Sequence, residues 1–329
     1  MRVLVTGASG FIGGNLVREL LRQGYEVRAL VRPGSNLKAL QGLKPNYAEG
    51  DLLDRPSLDQ ALAGCQGLFH TAALYAFWSK SPGLIYRTNV QGTENILAAA
   101  AARGLQKVVY TSSESAVGIS PGFRVGNEEM QGDLKGIAGE YKRSKFIAEE
   151  VARSYCARGL PLTIVNPTTP IGAYDVKPTP TGKIVTDYLN HKMFACLETG
   201  LNVIDVEDVA RGHVLALEKG RPGQRYLLGN RNLSLRDMML ILERIAHIPA
   251  PRLNIPYWLA MGAGYLDGFV EGTCLRRYPR IPPAAVKAAR KVRHFDCGRA
   301  VQELGLPQTS VEIAFEKAVR WFRDNGYAK

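Results

Sequence analysis

The chain has 329 residues, 46% of them hydrophobic and 22% charged, with a net charge of +12 at neutral pH and a pI near 9.5. That is an ordinary globular composition, long enough for one large domain and a smaller lobe. Its five cysteines (Cys65, Cys156, Cys196, Cys274 and Cys297) are odd in number and form no C-x-x-C pair, and its histidines are scattered, which sets aside a disulfide frame and a metal site and fits reduced thiols in a cytoplasm.

No basic, apolar and cleavage-site leader precedes the first apolar run, so secretion is not expected. Residues 257–272 are the most apolar late segment, but with Asp267 and Glu271 they fall short of the roughly 20 apolar residues of a membrane span. A basic excess collects late, where Arg276, Arg277, Arg280, Lys287, Arg290, Lys291, Arg293 and Arg299 face only Asp296. No nucleic-acid motif accompanies it, and the plain reading is a basic but inert surface.

In chain order, the spacing predicts a strand over 3–6, a helix over 11–23 closed by Gly24, a second strand over 27–31 and a weaker third over 47–50. Asp54 can cap a helix running to Ala63, with Pro56 in its first turn. Residues 68–71 read as a buried strand, 84–102 as a long helix, 107–112 as the next strand, 138–157 as the next long helix and 162–166 as a further strand. Past Pro167, Pro170, Pro178 and Pro180 break the chain into loops. A strand over 201–204, a helix over 206–217, a Ser234-capped helix to about Ala246 and a final amphipathic helix over 312–323 follow.

Alternation of strands and helices gives a parallel sheet with helices on both faces, and right-handed crossovers gather the loops after the strands along one edge, where ligands bind. The expected architecture is an α/β, Rossmann-type doubly wound sheet over 1–167. A smaller substrate-binding lobe covers 168–329, with segments around 201–228 returning to the first domain.

Gly7-Ala8-Ser9-Gly10-Phe11-Ile12-Gly13 lies between the first strand and the first helix. Gly7 allows a tight turn, Gly10 a close approach of the backbone to a pyrophosphate, and Gly13 close packing of helix on sheet. The helix N-terminus then offers free N–H groups and its positive dipole end to phosphates. At the end of the second strand, where a carboxylate would hold the ribose 2′-hydroxyl of NAD, stand Arg32 and Ser35, which suit a 2′-phosphate. NADP(H) is therefore the expected cofactor, with NAD(H) the alternative. Asp51, followed by Leu52, can accept from the adenine amino group. Thr71, Ala72 and Ala73 end the fourth strand in small residues that leave room for a flat ligand, and His70 before them reads as a packed strand residue. Thr111, Asn166, Pro167, Thr168 and Thr169, at the ends of later strands, complete the expected cofactor contacts, beside Phe11 and Ile12.

Thr111-Ser112-Ser113 ends the fifth strand, and Tyr141-Lys142-Arg143-Ser144-Lys145 sets a phenol and an ammonium on one helical face. Tyr141 can exchange a proton with a substrate oxygen. A free phenol, with a pKa of about 10, is a poor base, and Lys145 is expected to lower that value and to hold the nicotinamide ribose. Ser113, or Ser112 in another register, can hydrogen-bond the substrate oxygen as charge develops. Each motif alone is commonplace. Together they indicate nicotinamide-dependent hydride transfer at an alcohol or carbonyl carbon.

Over nearly its whole length the chain resembles the extended short-chain dehydrogenases/reductases of the NAD-dependent epimerase/dehydratase family. The resemblance is carried by Gly7, Gly10, Gly13, Asp51, Ala72, Ala73, Asn89, Ser113, Tyr141, Lys145 and the Asn166-Pro167 step. It implies a catalytic triad of Ser113, Tyr141 and Lys145, and a place near the site for Asn89, within Thr88-Asn89-Val90-Gln91-Gly92-Thr93. Residues 141–146, 165–172, 177–182 and 199–210 are most similar to the hopanoid-associated sugar epimerase group, itself similar to dihydroflavonol reductases and 3β-hydroxysteroid dehydrogenases.

Asn166 sits where sugar-nucleotide epimerases use an asparagine near the diphosphate. Residues 201–205 lack the arginine such enzymes often place there, and Arg32 departs from their NAD-binding carboxylate. The expectation is an NADPH-driven reductase of a ketone, aldehyde or sugar-like carbonyl. A sugar or nucleotide-sugar epimerase/dehydratase linked to hopanoid biosynthesis is the alternative. A non-catalytic, dinucleotide-binding redox sensor is a third reading, which retention of the serine, tyrosine and lysine opposes. The expected partner is a small molecule with a carbonyl or hydroxyl, not nucleic acid, bound by Ser113, Asn166 and Lys177, with the loop 177–183 on its border. The resemblance also implies a possible homodimer, paired through helices 84–102 and 138–157. Residues 257–293 combine apolar helix faces with arginines; lobe packing is the plainer reading, contact with an anionic membrane the alternative.

Overall fold

The computed structural model describes residues 1–75, 82–119, 125–132, 134, 137, 139–275, 277, 279, 281, 283–290 and 292–328. Arg276, Arg280 and Lys291 of the late basic stretch, and Ala138 at the expected start of a long helix, lie outside them.

β1 (Arg2–Thr6) leads through the glycine turn into α1 (Phe11–Arg22), followed by β2 (Glu26–Val31), β3 (Asn46–Glu49), α2 (Arg55–Leu62) and β4 (Gly67–His70). One continuous helix then combines α3 (Pro82–Tyr86) and α4 (Gly92–Ala102) through a π turn over Arg87–Gln91. Next come β5 (Lys107–Thr111), α5 (Glu114–Val117), β6 (Val125–Gly126), α6 (Glu140–Ala157) and β7 (Leu162–Pro167). The remainder is β8 (Thr169–Ile171), α7 (Pro180–Leu189), β9 (Ala195–Cys196), β10 (Gly200–Asp205), α8 (Val206–Lys219), β11 (Arg225–Leu228), β12 (Arg231–Ser234), α9 (Leu235–Ala246), β13 (Leu253–Asn254), α10 (Tyr257–Asp267), α11 (Pro283–Ala289), β14 (His294–Phe295) and α12 (Val311–Asp324).

Seven strands form a wholly parallel sheet in the order β11-β7-β5-β4-β1-β2-β3. A parallel sheet must be covered on both faces, and β4, β7 and β11 are accordingly buried along their whole length. On one face Leu16, Val17 and Leu20 of α1 mesh with Val209 and Val214 of α8 over Val3, Val5 and Phe69. On the other, Leu58, Ile96, Leu97, Ala148 and Ala152 of α2, α4 and α6 close over Leu4, Leu68 and Leu162. The chain winds outward from β1 through β2 to β3, then returns to β4 on the other side. The C-terminal ends of β1 and β4 therefore part at a switch point, and a cleft opens there.

β10 does not rejoin this sheet. It pairs parallel with β8 and antiparallel with β12 in a separate three-stranded sheet, whereas the next elements, α8 and β11, do pack on and extend the main sheet. The small sheet is covered by α7, α9 and α12 through Val185, Met238, Leu242, Phe315 and Phe322. Ser234 starts α9 with a reciprocal cap, its Oγ accepting from the Asp237 N–H at 3.0 Å while Asp237 Oδ2 accepts from the Ser234 N–H at 2.9 Å. Asp54 behaves otherwise than expected. It occupies the N-cap position of α2, but its side chain accepts no capping bond, and the Ser57 hydroxyl donates to its carbonyl at 2.8 Å instead.

Candidate active site

A cleft of about 430 Å³ lies over the C-terminal ends of β1, β4 and β5. Gly7 turns the chain at φ +69°, and a Cβ there would stand 2.7 Å from the Ala72 backbone. A Cβ on Gly13 would come within 2.1 Å of the Gly7 carbonyl oxygen, so only glycine lets α1 close onto the turn. Gly10 closes that turn by donating its N–H to the Gly7 carbonyl at 2.9 Å. The first turn of α1 has no side-chain cap and no acidic residue. Its N–H groups and its dipole are left for an anion, which fits the phosphates of a dinucleotide.

Phe11 and Ile12 line the cleft, as do Arg32 and Ser35 after β2, Asp51 and Leu52 after β3, and Thr71, Ala72 and Ala73 after β4. Asp51 accepts the Leu53 N–H at one carboxylate oxygen, 2.8 Å away. The Thr71 hydroxyl donates to the Thr6 carbonyl at 2.6 Å and ties the β4 loop to β1. His70 is buried between the hydroxyls of Thr6 and Thr93, at 2.7 and 3.0 Å, and burial pushes its pKa down to about 3, so its ring is neutral.

Thr111, Ser112 and Ser113 end β5 in the cleft wall, and Pro167 and Thr168 line it from the end of β7. Ser113 is the N-cap of α5, its Oγ accepting from the Ser115 N–H at 3.2 Å and the Ser115 hydroxyl at 2.9 Å. The first turn of α6 brings Tyr141 to Ser113, with its ring 4.4 Å from that of Tyr75. One turn on, buried Lys145 donates to the Thr111 carbonyl at 2.7 Å and to the Tyr110 hydroxyl at 3.1 Å. Burial lowers the Lys145 pKa to about 7, and the nearby Glu149 carboxylate pulls it back up.

The expectation that Lys145 would favour the Tyr141 phenolate is overturned here. Burial, and after it the Glu114 carboxylate, push the Tyr141 pKa up, against a smaller opposite pull from a Ser113 hydrogen bond. The Lys145 amine donates to Thr111 and Tyr110, and no hydrogen bond from it to Tyr141 is formed among the described residues. Tyr141 is therefore a phenol at neutral pH, a proton donor.

Four expected contacts stand outside the cleft wall. Asn89, in the π turn, is buried. Its Oδ1 accepts from the Leu74 N–H at 2.7 Å, and its Nδ2 donates to the Leu74 carbonyl at 3.2 Å and to Ser144 Oγ at 2.9 Å. It clamps the loop after β4 to α6. Asn166 lies behind Ser113, donating to the Ser113 carbonyl at 3.0 Å and to Glu149 Oε2 at 2.8 Å. Thr169 is buried in β8, in register with Val203. Lys177 is exposed, and Lys183 pairs with Asp187 at 2.9 Å inside α7, which begins at Pro180 where a loop was expected. Beyond Thr168, the second half of the chain reaches the cleft through Pro170, Thr179 and Thr181.

Residues that sequence reasoning missed include Leu74, Tyr75, Thr88 and Lys142 in the wall, and above all Glu114. Glu114 directly follows the serine pair, a position that could have drawn attention. Nothing local signals its ion pair with Arg293, 179 residues later.

Residues 3–229 match the NAD dependent epimerase/dehydratase family. The chain is 45% identical to a putative dihydroflavonol 4-reductase of Synechocystis sp., covering 99% of this chain and 95% of that one. It is 36% identical to sterol demethylase protein B of Methylococcus capsulatus, covering 99% of each. It is also similar to the crystal structure of PA4631, a nucleoside-diphosphate-sugar epimerase from Pseudomonas aeruginosa, with a TM-score of 0.83 and 27% identity over 100% of this chain and 99% of that one.

Proposed function

The chain belongs to the NAD-dependent epimerase/dehydratase family of extended short-chain dehydrogenases/reductases and is an NAD(P)-dependent enzyme, and we propose that it reduces a ketone, aldehyde or sugar-like carbonyl with hydride from NADPH. One juxtaposition carries the reading. The glycine turn and α1 N-terminus form one wall of the cleft, and Ser113, Tyr141 and Lys145 face them from β5 and α6. The glycine turn, Asp51 and the small residues Ala72 and Ala73 would hold the dinucleotide, and Arg32 and Ser35 would meet its 2′-phosphate.

A reduced nicotinamide held there would supply the hydride for the carbonyl carbon. As charge builds on the carbonyl oxygen, Ser113, whose Oγ already accepts from Ser115, directs its own proton to it. Tyr141 gives its proton to the same oxygen, and the product leaves as an alcohol. A protonated Tyr141 is the form that carbonyl reduction requires. Lys145, when protonated, keeps a third N–H beyond those given to Thr111 and Tyr110, free for a ribose hydroxyl.

The similarity to PA4631 favours a second reading, epimerisation of a nucleotide sugar. Against it, the amide nitrogen of Asn166 is given to Glu149 and Ser113, away from the cleft. Denaturing freshly purified protein and identifying any released nucleotide separates the two, since an epimerase gains from a cofactor that stays bound. The expected result is an empty site that binds NADPH reversibly and in preference to NADH, with carbonyl-dependent NADPH oxidation abolished in Tyr141→Phe while NADPH binding persists. Retained NAD(H) overturns the reductase and the role of Arg32. Undiminished turnover in Tyr141→Phe removes Tyr141 from the mechanism.

A further inference from the structure

α10 and the π turn that continues it to Cys274 carry a large exposed apolar surface. Trp258 (72% exposed), Leu259, Tyr265, Leu266 (68%), Phe269 (61%) and Val270 recur at helical spacing and make one contiguous arc. The opposite arc is packed. Ala260 and Gly264 are buried, and a Cβ at Gly264 would lie 3.3 Å from Val286 of α11. The acids of this helix belong to that packed side. Asp267 accepts the Ile281 N–H at 2.7 Å within the connection to α11, and Glu271 follows it one turn later.

Cations flank the apolar arc. Lys287 Nζ lies 5.4 Å from the Tyr265 ring centroid, and the Arg290 guanidinium 5.5 Å from that of Tyr257. Arg252 and Arg277, both exposed, stand before and after the helix. An uncharged arc bounded by aromatic rings and cations is the chemistry of a helix lying in the headgroup layer of a membrane.

We propose that the α10–α11 hairpin docks the protein on an anionic lipid bilayer. Trp258, Leu266 and Phe269 enter the acyl boundary while Lys287, Arg290, Arg252 and Arg277 meet lipid phosphates. Charge complementarity selects this occupant: the chain carries a net +12, and the rim of the arc is cationic. A second copy docked through the same face would set two cationic rims against each other. Among the described residues no helix is long and apolar enough to cross a membrane, so the contact is peripheral. The hairpin is also fastened beside the cleft. Ala284 lies 3.9 Å from a Cβ built on Gly139, two residues before Tyr141, and Arg293, after α11, pairs with Glu114 in the cleft wall.

The test is flotation of the full chain with vesicles of phosphatidylcholine containing about one-third phosphatidylglycerol, against phosphatidylcholine alone. Wild type is expected to float with the anionic vesicles only, and to be released by high salt. Leu266→Glu/Phe269→Glu should stay unbound while keeping the wild-type melting temperature, because both side chains face outward. Lys287→Glu/Arg290→Glu should bind at least about 25-fold more weakly, at roughly fivefold per cation. Failure of wild type to float at low salt overturns the proposal, as does undiminished flotation of Leu266→Glu/Phe269→Glu. So does a wild-type dimer that this double variant converts to monomer without any lipid binding, since a second copy would then cover the face.

Discussion

Replacing Glu149 by glutamine should destabilise the protein by several kcal/mol, and the structure says where the loss comes from. Glu149 is 2% exposed; Oε1 accepts from Arg225 at 3.0 Å and from Arg153 at 2.8 Å, and Oε2 from Asn166 at 2.8 Å. Burial alone would push its pKa up, but Arg225, Ser112 and Arg153 outweigh it, and the net shift is downward. Arg153 is 34% exposed, and water can replace its partner at a cost of roughly a few tenths of a kcal/mol. Arg225 is 7% exposed and also donates to the Glu128 and Met130 carbonyls, so removing the carboxylate takes the main counter-charge from a buried guanidinium. That costs about 3–5 kcal/mol, out of a total stability of about 5–15 kcal/mol. Urea unfolding of wild type, E149Q, R225M and the double variant measures it, with the double variant expected to recover most of the loss because no charge is then buried alone. The folded-state pKa of Glu149 is depressed. Its contribution is thus present above the ordinary glutamate value of 4.5 and disappears as pH falls through the lower folded value, so the gap between wild type and E149Q should narrow in acid. A loss below about 1 kcal/mol at neutral pH, or a gap that does not narrow, refutes the reasoning.

Gly13→Ala should fold with an intact far-ultraviolet spectrum yet lose dinucleotide binding, because the new methyl meets the Gly7 carbonyl at 2.1 Å; an unchanged Kd for NADPH would contradict this. Arg32→Ala should raise the KM for NADPH about 10- to 100-fold, the worth of a charged hydrogen bond, and leave that for NADH nearly unchanged; equal effects on both would dismiss a phosphate contact. Asp175 is buried, and burial lifts its pKa to about 7 despite hydrogen bonds from the Thr179 N–H and hydroxyl. The folded protein therefore holds a proton that the unfolded chain releases near 3.8, so this contribution is complete below that value and is lost as pH rises through about 7. Asp175→Asn should flatten the dependence of melting temperature on pH across that window, and parallel curves for variant and wild type would count against it.

Most of the main sheet was legible because β1, β2, β4, β5 and β7 are short apolar runs, a pattern written locally, whereas the polar, largely exposed β3 reads weakly. β10 carries the same kind of run, and nothing in it distinguishes the main sheet from the small one. Its place is decided by pairing with β8 and β12 and by the packing of α12, which are contacts between distant segments. The same limit applies at the site. Spacing sets Tyr141 and Lys145 on one face of α6, but not their burial, and burial is the largest influence on both side chains. Asn89 was visible as a residue near the site, while the π turn that carries it, and its exchange of hydrogen bonds with Leu74, depend on how the loop after β4 closes.

Burial would leave both groups without charge, and two carboxylates then act in opposite senses. Glu114 reinforces the proton on Tyr141, so the phenol stays an acid, while Glu149 restores part of the basicity that Lys145 loses. Each carboxylate is held by an arginine from far along the chain, Glu114 by Arg293 and Glu149 by Arg225. The protonation of two groups on α6 is thus influenced by residues on the strand that closes the sheet and on the segment after α11. Charge at Arg293 is also the direct link between the cleft wall and the hairpin bearing the exposed apolar arc. Neutralising Arg293 should leave Glu114 unpaired beside Tyr141, strengthen its hold on the phenolic proton, and move the tyrosine-linked limb of the pH–rate profile upward. A structural role alone would lower the amount of folded enzyme without moving that limb.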